Sequence, residues 1–138
     1  MNPDQLFTIL NNLAVVCWVA LVALPRARWV ARALAAVWIP ALFAVIYLAI
    51  VATTFWSTEG TMGSLAGVQQ LFQNPWMLLA GWVHYLAFDL LIGSWEVRDA
   101  QEHGVPHLLV VPCLALTLLF GPVGWLAYRG VRLARGIR

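Results

Sequence analysis

The chain has 138 residues, of which 62% are hydrophobic and only 10% are charged. Soluble domains carry about 25% charged residues, so this composition excludes a soluble globular domain and indicates an integral membrane protein. The formal net charge is +2, and every basic residue is an arginine. The arginines lie near the ends of apolar runs, which is typical of membrane topology, and we expect no nucleic-acid partner.

Four apolar runs are long enough to cross a bilayer, which takes about 20 residues. The sequence therefore predicts one transmembrane domain over residues 1–138 with an all-α fold, an integral membrane four-transmembrane-helix bundle. A kink is expected at Pro40 and a bend at the Gly121-Pro122 pair. Residues 64–72 are either a short amphipathic helix at the membrane surface or a loop. The predicted spans are approximately 6–24, 30–55, 76–98 and 106–128.

Four continuous spans would divide the arginines equally between the two faces of the membrane. Counting positive charges then gives no orientation. We expect the C-terminal set on the cytoplasmic side, because Arg98 of the other set lies among Glu96, Asp99 and Glu102. The two sets are Arg26, Arg28, Arg32 and Arg98, and Arg129, Arg132, Arg135 and Arg138.

His84 and Asp89 lie inside the third apolar run and are the candidate catalytic residues. Placing a carboxyl group in the hydrocarbon of a membrane costs at least a few kcal/mol of free energy. An aspartate at such a position therefore indicates a functional site as the first hypothesis. In an apolar site its protonated form is favoured and can act as an acid, with His84 as the complementary base. The two side chains diverge by about 140° around a helix. The alternative is a structural carboxyl that is hydrogen-bonded to Asn11, Asn12 or Tyr47.

A second polar group is predicted at one membrane face, where the third and fourth helices meet. Carboxylates and histidines there suit Zn, Fe or Mn, although a solvated, hydrogen-bonded turn is the commoner arrangement. The sequence contains neither the ExxH pairs of di-iron bundles nor an HEXXH motif. The candidate metal ligands are Glu96, Asp99, His103 and His107.

Several segments of the chain resemble the abscisic-acid-deficient 4 family of small four-helix membrane proteins. They are the run Gly81-Trp-Val-His-Tyr-Leu-Ala-Phe-Asp89, the motif Glu96-Val-Arg-Asp99, His107, and Leu119-Phe-Gly-Pro-Val-Gly124. The resemblance is strongest over residues 65–128. The positions that match the plant pattern are His84, Asp89, Asp99, His107 and the Phe-Gly-Pro turn, whereas Glu96 departs from it.

The resemblance implies a carotenoid or similar isoprenoid ligand, because plant members of the family are required for making neoxanthin from violaxanthin. Converting an epoxide into an allenic alcohol needs an acid at the epoxide oxygen and a base at the polyene, with no redox change. Asp89 as the acid and His84 as the base would meet that need. The candidate substrate-binding residues are Trp82, Tyr85 and Trp95 as walls for a flat ligand, and Asp99 and His107 near its polar end ring.

Two other functions compete with an isomerase of this neoxanthin synthase type. One is a non-enzymatic carotenoid-binding or assembly subunit of a larger membrane (photosynthetic) complex. The other is a small transporter or proton-relay protein, which would also account for an intramembrane aspartate. The expected setting is a bacterial inner or photosynthetic membrane, where the chain contacts membrane lipid and forms a homo-oligomer or joins a larger complex. The sequence specifies no cofactor.

Overall fold

A computed structural model describes residues 1–137, which are almost entirely helical and contain no strand. Three stretches are long and apolar enough to cross a membrane: Pro3–Ala23, Val30–Ser57 and Pro75–Glu102. The helices are α1 (Pro3–Ala23), a π-helical segment (Val30–Trp38) that continues into α2 (Ile39–Thr54) and a 3-10 turn (Phe55–Ser57), α3 (Leu65–Leu71), α4 (Pro75–Glu102), α5 (His107–Phe120) and α6 (Pro122–Ala134).

Local sequence signals explain where the helices begin. Asn2 and Gln5 form a reciprocal capping box at the start of α1, in which each side chain accepts from the other's backbone amide. The Asn74 side chain caps α4, and Pro75 occupies its first turn, where a missing amide hydrogen costs nothing. Residues 64–72 do contain a short helix, α3, which begins at a Ser64 cap.

The second span changes helix type where the kink was expected. The segment before Pro40 is π-helical over Val30–Trp38, and a regular α-helix follows. Proline lacks an amide hydrogen and its ring crowds the carbonyl four residues earlier. The wider π-helical turns relieve this crowding without breaking the span.

The fourth predicted span, residues 106–128, is wrong as a single helix. It consists of two helices, α5 and α6, interrupted at Gly121. The 14 residues of α5 extend only about 21 Å, whereas the hydrocarbon core is about 30 Å thick. The four-helix count is therefore not confirmed, and three candidate spans remain.

The second of these two helices folds back along the first. Gly124 is packed directly against Thr117, although residues seven apart in one helix are separated by about 10 Å. Tyr128 and Arg132 both reach Asp99, which lies near the C-terminal end of α4. A continuous helix would carry them towards the opposite end of α4. We call α5 and α6 together the re-entrant hairpin, with Gly121 and Pro122 as its tip.

The residues at the tip explain why the chain reverses there. Gly121 has φ 13° and ψ −80°, which are not helical values, and Pro122 cannot continue the hydrogen-bond ladder of α5. A Cβ atom on Gly121 would lie 2.6 Å from Oδ1 of Asp89. The tip therefore touches the middle of α4 and has no room for a side chain at residue 121.

The reversal also changes the distribution of charge between the two membrane faces. Gln101 donates to the Pro25 carbonyl at 2.7 Å, and His107 Nε2 lies 2.8 Å from the Val22 carbonyl. The end of α1, the end of α4 and the start of α5 thus share one face, to which α6 returns. We call it the arginine face, and we call the opposite face, with the N-terminus and residues 58–74, the loop face. Arginines of both predicted sets belong to the arginine face: Arg26, Arg28, Arg32, Arg98, Arg129, Arg132 and Arg135.

The expected tie in positive charge is therefore wrong, because it depended on a continuous fourth span. Within residues 1–137 the loop face carries Asp4 and Glu59 but no arginine; Arg138 lies outside the described residues. The positive-inside rule predicts that the arginine face is cytoplasmic and that the N-terminus is on the other side.

Candidate functional site at the tip of the hairpin

Three buried carboxyl groups lie along one side of α4, beneath the re-entrant hairpin. Asp89, Glu96 and Asp99 are spaced by seven and three residues, which places them on one helical stripe. Each is less than 9% exposed. Buried charges in membrane proteins require partners or mark functional sites, so the surroundings of each carboxyl distinguish these roles.

Asp99 holds α6 in place. Its Oδ2 accepts a hydrogen bond from the Tyr128 hydroxyl at 2.7 Å, and its Oδ1 accepts from the Arg132 guanidinium at 2.8 Å. The Tyr128 ring is fully buried and meets the Trp95 ring edge to face, with centroids 5.5 Å apart. Asp99 and Trp95, predicted to bind substrate, are thus engaged in packing the hairpin.

Glu96 joins α4 to the two arms of the hairpin. Its Oε1 accepts a hydrogen bond from the Thr117 hydroxyl at 2.9 Å, and the side chain is completely buried. Gly124 lies so close to Thr117 that a Cβ atom there would overlap it. Because this packing is tight, no ligand reaches Glu96 without opening the hairpin.

Asp89 is in a different situation. Its side chain is 8% exposed, and its buried Oδ2 has no hydrogen-bond partner among the described residues. Tyr85, one turn earlier, lies close enough to interact electrostatically with it, but the Tyr85 hydroxyl donates to the Leu118 carbonyl at 2.8 Å. The three partners predicted for a structural carboxyl, Asn11, Asn12 and Tyr47, form no hydrogen bond with Asp89 in the described part of the chain. Glu96 Oε2 likewise has no hydrogen-bond partner among the described residues, but Glu96 is completely buried beneath the hairpin, whereas Asp89 lies beside the tip.

An aromatic surface leads from the loop face towards Asp89. The rings of Phe7 and Trp82 are 5.5 Å apart, and those of Trp82 and Tyr85 are 5.3 Å apart. Because α5 ends at Phe120, no fourth helix covers this half of α4. We call the resulting cleft of about 230 Å³ the aromatic groove; it is lined by Pro3, Asp4, Phe7, Pro75, Leu78, Leu79 and Trp82.

The structure does not bring His84 to this groove. Its ring lies 5.8 Å from the Tyr47 ring and 4.8 Å from the Phe88 ring, on the exposed outer side of α4. Asp89 lies on the inner side, beneath the hairpin. The divergence expected from helical geometry is therefore real, and the pairing of the two as base and acid stays a prediction.

The four predicted metal ligands do not converge either. Residues 1–137 contain no group of three or more histidine, cysteine, aspartate or glutamate side chains that could hold an ion. His103 Nδ1 lies 2.9 Å from the Asp99 backbone carbonyl, and His107 Nε2 is bonded to α1. Glu96 and Asp99 are occupied by the hairpin. His107, also proposed for end-ring binding, instead closes the contact between α1 and α5.

Sequence reasoning gave no role in the site to Thr117, Gly124, Tyr128 or Arg132. The available signal was the Gly121-Pro122 pair, which divides an apolar run into two pieces that are each too short to span. Once the run is divided, the polar residues of the second piece require buried partners, and the carboxyls of α4 are the ones that match.

Three spanning helices, a re-entrant hairpin and an unsatisfied buried carboxyl beside an aromatic groove define a small integral membrane protein with an intramembrane polar site. The chain belongs to the ABA DEFICIENT 4-like family, whose sequence model matches residues 5–128. This membership indicates a role related to the carotenoid and abscisic acid pathway. Neither a curated protein nor a solved structure matches the chain.

Proposed function

We propose that this protein binds a carotenoid-like isoprenoid in the aromatic groove and isomerises its end group by proton transfer from Asp89. The observation that carries the proposal is the position of Asp89 at the inner end of a row of aromatic rings. Within residues 1–137 this buried carboxyl forms no ion pair, and its Oδ2 has no hydrogen-bond partner. Flat aromatic walls suit a flat conjugated ligand, and a lipid-facing opening suits a ligand that partitions into the bilayer.

The chemistry expected for an epoxide end group balances without a redox partner. Protonated Asp89 gives its proton to the epoxide oxygen, the carbon–oxygen bond breaks, and a proton leaves the polyene to form the allene. General acid catalysis of this kind contributes about 10²- to 10⁴-fold to a rate. An apolar surrounding favours the neutral carboxyl that the first step requires.

Two groups are candidates for the base that accepts the polyene proton, and they lie on different sides of α4. A ligand whose end group extends from the aromatic groove past Tyr85 would reach Asp89 on the side of α4 opposite His84. The carboxylate left after protonation is then the base nearest to the ligand, and Asp89 recovers its own proton. His84, the base predicted from the sequence, requires a ligand that also contacts the outer side of α4.

The test uses the purified protein in liposomes that contain violaxanthin, with products separated by chromatography and identified by mass spectrometry. We expect an allenic isomer from the wild type and at least a hundredfold slower conversion by Asp89→Asn. Glu102→Gln is the matched control, because it removes an exposed carboxyl at the end of the same helix. Full activity in Asp89→Asn would refute the acid assignment.

Two further variants complete the design. His84→Gln distinguishes His84 from the Asp89 carboxylate as the base. The variant loses activity only if His84 accepts the proton that leaves the polyene. Trp82→Leu should weaken ligand binding. Trp56 is 86% exposed and lies outside the groove, so Trp56→Leu should leave ligand binding unchanged. Stoichiometric carotenoid that stays bound but is never converted would support the non-enzymatic pigment-binding or assembly role instead.

A further inference from the structure

A second groove lies between α1 and α5, in the half of the bundle near the arginine face. It has a volume of about 350 Å³ and is lined only by apolar side chains. Its floor is Trp18, whose indole packs against Gly93 of α4, where any side chain would displace it. We call it the tail groove; its walls are Val15, Val19 and Val22 from α1 and Val111, Ala115 and Leu118 from α5.

Tyr85 lies between the tail groove and the aromatic groove, which have no lining residue in common. Leu118 lines the tail groove, and its carbonyl accepts the hydrogen bond of the Tyr85 hydroxyl. The Tyr85 ring in turn packs against Trp82 of the aromatic groove. α1 borders both grooves, from Phe7 in one to Val22 in the other. The stretch of α1 from Phe7 to Val22 spans about 22 Å, and Tyr85, at the junction between the two grooves, interacts electrostatically with Asp89.

The shape of this path distinguishes between classes of lipid. At the arginine face the bond between His107 and the Val22 carbonyl ties α5 to α1 at the end of the tail groove. A phospholipid that lay along the groove would have to place its charged headgroup at this tied end or at the apolar junction, and burying a charge there is costly. A long hydrocarbon with a small, weakly polar end group meets neither obstacle.

We propose that one elongated isoprenoid occupies both grooves, with its reacting end group at the junction beside Asp89 and its long tail directed towards the arginine face. This inference rests on the proposed function and specifies the substrate class of that site. The protein then selects its substrate by tail length as well as by end group, and a ring fragment without a tail leaves the tail groove empty.

The experiment measures binding of two probes to the full chain in detergent. Violaxanthin is the long probe, followed by quenching of tryptophan fluorescence, and 5,6-epoxy-β-ionone is the ring-only probe, followed by competition. Ala115→Phe narrows the tail groove from α5, and Val19→Phe narrows it from α1. Ala44→Phe on the exposed side of α2 is the matched control.

We expect both groove variants to raise the Kd of violaxanthin at least about tenfold and to bind 5,6-epoxy-β-ionone with the wild-type Kd. The Ala44→Phe control should bind both probes with the wild-type Kd. Because either groove variant could disturb folding, unchanged binding of the ring-only probe also reports an intact site. Wild-type affinity for violaxanthin in both groove variants would overturn the inference while leaving the role of Asp89 standing. A wild-type protein that binds no violaxanthin would overturn the proposed function and this inference together.

Discussion

Replacing Tyr128 with phenylalanine tests whether Asp99 holds the re-entrant hairpin against α4. The substitution keeps the buried ring and its contact with Trp95 but removes the hydroxyl that donates to Asp99 at 2.7 Å. A hydrogen bond to a charged group contributes about 1.5–3 kcal/mol, and a buried acceptor left unpaired puts the loss in the upper part of that range. The unfolding equilibrium constant should therefore rise by about 30- to 150-fold.

The assay is unfolding by sodium dodecyl sulfate in mixed micelles, followed by the fluorescence of the chain's eight tryptophans. The control is Arg32→Gln, which removes an exposed ion pair with Glu102 at 3.7 Å and should cost less than about 1 kcal/mol. Asp99→Asn should exceed both, at about 3–5 kcal/mol, because it leaves the Arg132 guanidinium without its buried counterion. If Tyr128→Phe loses no more unfolding free energy than Arg32→Gln, the hairpin does not depend on its hydrogen bond to Asp99.

The remaining predictions concern the course of the hairpin. In intact cells an impermeant thiol reagent should label Met62→Cys on the loop face. The same reagent should label Leu24→Cys and Ala134→Cys only after permeabilisation. If one of these two variants is labelled in intact cells and the other is not, residues 24 and 134 lie on different membrane faces and the fourth span is continuous. Gly124→Ala should destabilise the protein by about 1–3 kcal/mol through overlap with Thr117. Gly130→Ala, which meets open space, should be neutral or stabilising in the same unfolding assay.

The sequence predicted the three spans well because their signal is local. Apolar length and first-turn prolines are properties of each segment alone, and α1, the second span and α4 begin or end within a few residues of the predicted limits. The hairpin is different. A run that contains Gly121-Pro122 can bend slightly and continue or can reverse, and the choice depends on whether Tyr128 and Arg132 find buried partners. Those partners lie on α4, about 30 residues away, so the reversal is a tertiary effect.

The candidate site was predicted in part for the same reason. An aspartate in an apolar helix is informative without any knowledge of its neighbours, so Asp89 could be selected from the sequence. The residues grouped around it by helical spacing were then separated by the hairpin, which engages Glu96 and Asp99 but leaves Asp89 at the tip. His103 and His107 were grouped by proximity in a turn, yet their ring nitrogens lie beside backbone carbonyls instead of sharing an ion.

The half-length of the hairpin divides the polar side of α4 into a covered part and a part at the tip. A fourth complete helix would cover Trp82 and Tyr85 and would bury Asp89 permanently. Because α5 stops at Phe120, the loop-face half of α4 faces the bilayer, while the arms of the hairpin still exclude lipid from Glu96 and Asp99. The hairpin thus covers Glu96 and Asp99, the carboxyls that hold the helices together, and ends beside Asp89. Under the proposed function, this position at the tip is where a ligand that enters from the membrane would reach a carboxyl. If the proposed function holds, a substitution that fills the tip, such as Gly121→Leu, should slow the conversion of violaxanthin in the liposome assay by displacing Asp89, even where the hairpin still forms.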